Sequence, residues 1–124
     1  MKMKLLFDLQ PVLAQLKAEK ATAPDDPRDT VRTLSRLLKE GINLATVKAG
    51  VPSTREGDRM YFNFMNALDA MVESGNLELE IERECYDLMK ASWLTGSQYL
   101  PPVLYGFKES IHLAFDNATE QKTK

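Results

Sequence analysis

Apolar positions recur at helical spacing through most of this chain. Leu9, Val12, Leu13 and Leu16 fall three and four apart and predict a short first helix, with Pro11 tolerated in its first turn. A stretch of small and polar residues, 21–26, reads as a linker. Asp26 is then a good N-cap, Pro27 suits the first helical position, and Asp29 complements the positive helix end. Val31, Leu34, Leu37 and Leu38 form the apolar face of this second helix, placed at 27–40 with Gly41 as a left-handed stop. Asn43 can cap a two-turn helix over 43–49 that ends at Gly50. Ser53 followed by Glu56 has capping-box spacing and opens a long helix over 54–74. Tyr61, Phe64, Met65, Leu68, Met71 and Val72 make its buried face, and Gly75 ends it.

Residues 77–84 fit two patterns. Strict alternation up to Glu82 reads as a half-buried strand, whereas Leu77, Ile81, Cys85 and Leu88 fit a helix that Tyr86, Met89 and Trp93 extend. Glu and Leu are strong helix formers and no turn signal intervenes before Gly96, so helix is favoured. Pro101-Pro102 starts the last helix, with Leu104, Phe107, Ile111 and Phe115 as its core stripe. The expected fold is all-α, a compact irregular or orthogonal bundle of five to six helices. Residues 1–116 form one helical domain, and 117–124 a polar, disordered tail.

Composition narrows this picture only a little. The 124 residues are 44% hydrophobic and 27% charged, enough apolar content for a core without metal or disulfide staples. The net charge of −2 argues against a broad phosphate-binding surface, though not against a local basic patch. The one cysteine, Cys85, excludes an internal disulfide and fits a reducing compartment. The apolar run near the N-terminus stops at Asp8, too short for a signal peptide, and no run approaches a membrane span. A cytoplasmic protein with no membrane association is expected.

Catalytic chemistry needs groups within hydrogen-bond reach of one another, and the inventory is thin. Cys85 lies on a core-facing stripe and reads as a small hydrophobe. His112 shares a flank with Tyr105 and Lys108, where a half-buried structural histidine is the plainer reading. One His and one Cys cannot alone supply a transition-metal site. Glu78, Glu80, Glu82 and Glu84 would share a face on a strand, yet read better as a solvated acidic face. No Gly-rich phosphate loop is present. No enzyme activity, cofactor or metal is therefore expected.

Charge is unevenly spread. From Arg28 to Arg59 seven cations face four anions, a balance of +3, whereas from Met60 to Met89 one cation faces seven anions, a balance of −6. Arg28, Arg32, Arg36 and Lys39 fall within about 80° of arc on the second helix, opposite its apolar face. Phe62 and Leu113 point away from the core stripes of their helices and leave room for a partner or dimer contact. Helix 27–40, helix 43–49, the turn Ala49-Gly50-Val51-Pro52-Ser53 and the following helix have a layout that resembles a helix-turn-helix. That resemblance covers 43–60 and implies DNA contacts from Lys48, Arg55 and Arg59. Glu56 stands where that class packs an apolar residue inward. The favoured expectation is a non-enzymatic protein-binding adaptor or regulator, acting through Phe62, Leu113 and the basic stripe, with a homodimer compatible with the same surface. A DNA-binding regulator using 43–60 is the alternative.

Overall fold

The computed structural model describes residues 1–20 and 27–121. Among them, five α-helices and three short strands follow in order: β1 (Lys2–Leu6), α1 (Gln10–Ala18), α2 (Pro27–Val47), α3 (Arg55–Ser74), β2 (Glu78–Glu82), α4 (Arg83–Gly96), α5 (Tyr105–Asp116) and β3 (Thr119–Gln121). The expectation of a mostly helical protein holds. The all-α expectation is corrected by an antiparallel sheet of order β2-β1-β3. The linker 21–26, the Asp26 cap and residues 122–124 lie outside the described residues.

β1 reads Lys-Met-Lys-Leu-Leu, so Met3 and Leu5 turn inward, with Phe7 continuing the inward set just beyond the strand. Both edges of β1 are paired, which makes this N-terminal segment the centre of the sheet. Opposite it, β2 buries Leu79 and Ile81 against the same face. Here the favoured helix gives way to a strand. On a helix these two residues would point about 160° apart, whereas on a strand both meet Met3 and Leu5. Helix propensity is a weak prior against that burial. The helix does begin at Arg83, where Cys85, Tyr86, Met89 and Trp93 take up its buried face.

The C-terminal segment is likewise ordered further than the expected tail. Thr119–Gln121 pairs with Lys2–Lys4, and Glu120 forms an ion pair with Arg83, which also lies 3.3 Å from Asp87. The disordered-tail expectation is thus overturned for 119–121.

Gly41 does not stop a helix: α2 runs unbroken to Val47. The glycine is there for a close approach. A Cβ on Gly41 would lie 2.3 Å from Cζ3 of the fully buried Trp93, and one on Gly96 would lie 1.7 Å from the Gly41 carbonyl oxygen. At this crossing α2 and α4 meet almost backbone to backbone, and Trp93 closes over Gly41. The left-handed stops fall instead at Gly75, whose φ of 76° ends α3, and at Gly50 in the loop before it. Thr54, rather than Ser53, caps α3 by accepting a hydrogen bond from the Gly57 amide at 3.0 Å. The stripes Phe64–Leu68–Met71–Val72 and Phe107–Ile111–Phe115 pack into one core, with the inner face of the sheet beside them.

Candidate functional site

The reactive side chains are absorbed into structure. Cys85 is buried, and its thiol donates to the Met60 carbonyl at 3.5 Å. Burial, with Glu82 adding to it, pushes the thiol up to about 11, so it stays protonated at neutral pH and is a poor nucleophile. His112 is half-buried, and its Nδ1 accepts a 3.1 Å hydrogen bond from the Trp93 indole. That bond satisfies a donor which burial would otherwise leave unpaired. Lys108 donates to the Leu100 carbonyl at 3.3 Å and Tyr105 is exposed, so the flank trio is not drawn into one constellation.

On β2 the glutamates Glu78, Glu80 and Glu82 do share one face, and Glu84 leaves it by entering α4. The register sets Lys2 opposite Glu82 and Lys4 opposite Glu80. Lys4 lies 3.3 Å from Glu78, and the N-terminal ammonium 3.9 Å from Glu82. Among the described residues no group of three or more His, Cys, Asp or Glu side chains is placed to hold a metal ion.

The basic side of α2 faces a groove shared with α3. Arg32, Arg36 and Lys39 line one wall, Asp69 and Glu73 the other, around about 490 Å³. Lys39 crosses it to Asp69 at 2.5 Å, while Arg32 turns back along its own helix to Asp29 at 2.6 Å. Arg28 lies exposed near the start of the same helix. Phe62 stands on α3 two turns before Asp69, about 20° away around the axis, and is 63% exposed. Phe62 and the charged groove therefore belong to one outward surface. Leu113 lies on α5, away from this surface; it is partly exposed and is not among the side chains packed against the core.

The helix-turn-helix layout is corrected as well. It needs separate helices over 27–40 and 43–49, and these are one continuous α2. Lys48 and Arg55 are exposed at the two ends of the loop joining α2 to α3, and Arg59 is paired with Glu56 at 2.5 Å.

One feature escaped sequence reasoning. Between β2 and the flank of α3 runs a slot of about 480 Å³, walled by Glu80 and Glu82 on the strand and by Arg59, Asn63 and Ala67 on the helix. Ile81, Met60 and Cys85 also line it. The alternation of 77–82 was its only signal, and helix propensity outweighed it.

Comparison of the chain with models of known protein families, with curated proteins and with solved structures finds no match. Among the described residues, no helix is long and apolar enough to cross a membrane.

Proposed function

We propose that this protein is a non-catalytic adaptor or regulatory module of the cytoplasm that binds a partner protein through the outward face of α2 and α3. The observation that carries the reading is Phe62: a large aromatic, 63% exposed, placed on the same surface as the Lys39–Asp69 bridge and the groove behind it. Aromatic anchors ringed by polar groups are the usual centres of binding energy in protein interfaces. Arg32, Arg36 and Lys39 beside it supply charges that steer and orient an acidic partner surface.

Phe62→Ala tests it. Affinity capture from native lysate with the wild-type chain and with the variant should show a protein partner retained by the first and lost by the second. The melting temperatures of the two should agree, because Phe62 fills no core position. Truncation of an interface anchor weakens binding by about 2 kcal/mol or more, whereas truncation of a core phenylalanine lowers stability by about 3–5 kcal/mol. Equal capture by both chains, or capture of duplex DNA that depends on Arg55 and Lys48, would overturn the reading.

A further inference from the structure

The sheet has an open edge, and its chemistry says what covers it. Leu77 accepts a hydrogen bond from the Phe7 amide, and the Arg83 amide donates to Met1. In an antiparallel pair, residues whose backbone groups point the same way alternate along the strand. The odd-numbered residues of this segment therefore turn their backbone groups toward β1. Glu78, Glu80 and Glu82 turn theirs the other way, where no strand of the described residues pairs with them. An edge of this kind is a template for a further strand, about 4.8 Å away.

The slot beside that edge is bounded by α3. Asn63 and Ala67 present small side chains to it, with Ile81 and Met60 as apolar lining. Its charge is net negative, even with Arg59 paired to Glu56. Glu56, Glu80, Glu82 and Glu84 line it, against Lys2 and Arg59. A second copy of β2 laid along the edge would set glutamates opposite glutamates, which disfavours a dimer through this strand.

We propose that this slot binds an extended, basic segment of a partner polypeptide, which adds to β2 as a fourth strand. Its backbone pairs with Glu78, Glu80 and Glu82. Alternate cationic side chains meet the glutamates, and the intervening apolar ones pack toward Ile81 and Met60. The slot is a different surface from the Phe62 face, and a defined peptide tests it without the unidentified partner of that face, so the two readings fail separately.

The probe is a fluorescein-labelled eight-residue peptide of alternating lysine and valine, titrated into the full ¹⁵N-labelled chain. Binding is expected, with amide shifts concentrated at residues 78–82 and at Asn63 and Ala67. Replacing every lysine by glutamate, or N-methylating alternate peptide amides, should weaken binding at least tenfold. The Glu80→Lys/Glu82→Lys variant should lose it likewise, whereas Glu109→Lys on α5 should not change it. Circular dichroism of each variant verifies that it is folded. No binding of the lysine–valine peptide overturns the proposal. So does equal binding of the N-methylated peptide, or shifts confined to the α2–α3 face. A concentration-dependent dimer of the free chain that perturbs the same 78–82 amides would also overturn it, in favour of a second copy on that edge.

Discussion

Two places where elements pass one another differ sharply. Where α2 crosses α4, Gly41 and Gly96 let the helices meet so closely that an added Cβ would fall 1.7 Å from a carbonyl oxygen. Where α3 passes β2, a slot of about 480 Å³ stays open. Side-chain size and charge account for the contrast. The first contact has no side chain at its centre and is covered by Trp93, so closing it exposes nothing polar that must be satisfied. The second is walled by Glu80, Glu82 and Arg59, which lose hydration if the slot closes without partners for them. The chain thus has one joint that is complete and one that keeps room for something else.

The most damaging way to break this comparison is Gly96→Ala. The substitution gains helix propensity of about 1 kcal/mol, but the new methyl group meets backbone rather than a movable side chain. A net loss of about 3 kcal/mol or more is expected in urea unfolding, at the upper end of overpacking effects. An unchanged midpoint would mean that the two helices do not touch. Next in size is His112→Leu, which strips the acceptor from the Trp93 indole. A buried unpaired donor costs about 1–3 kcal/mol, and coupling to Trp93→Phe in a double-mutant cycle should recover part of it. Additive losses would place the two side chains apart.

A smaller effect sharpens the other side of the comparison. Cys85 lines the slot, and its thiol is raised from 9.0 to about 11. The unfolded chain gives up this proton first. The contribution to stability is therefore complete below pH 9 and is lost as pH rises toward 11. Alkylation of the native protein at pH 8 should run well below the rate in urea, and the urea midpoint should fall between those two pH values. Equal alkylation rates would mean that the slot exposes its floor. The smallest effect is expected for Asn63→Leu on the exposed wall of the slot, within about 0.5 kcal/mol of wild type. A larger loss would mean that the wall is already packed against another element.

The candidate surfaces were unevenly legible. Phe62 was readable because its angle from the apolar stripe of α3 depends only on helical period, and the structure leaves it exposed. The same rule sets Leu113 off the core stripe of α5, where the structure leaves it partly exposed and outside the packed core. The cations of α2 were placed on the correct side of their helix, but Lys39's partner, Asp69, comes from α3 and is invisible to any local pattern. The β2 slot was legible only as an alternation that competed with strong helix formers.

Local period determined a good deal here. The stripes Phe64–Leu68–Met71 and Phe107–Ile111–Phe115, the end of α3 at Gly75 and the apolar face of α2 all follow from neighbours three and four residues apart. The sheet did not follow from that period. Lys2 meets Glu82 and Gln121 across most of the chain, and a strand of five residues leaves too short an alternation to outweigh the helix propensity of Glu and Leu. The role of Gly41 was decided in the same way. A glycine after an apolar stripe reads as a stop when only its neighbours are known. It becomes a contact point once Trp93 and Gly96 of α4 are set against it, because what a missing side chain achieves depends on what occupies the space it leaves.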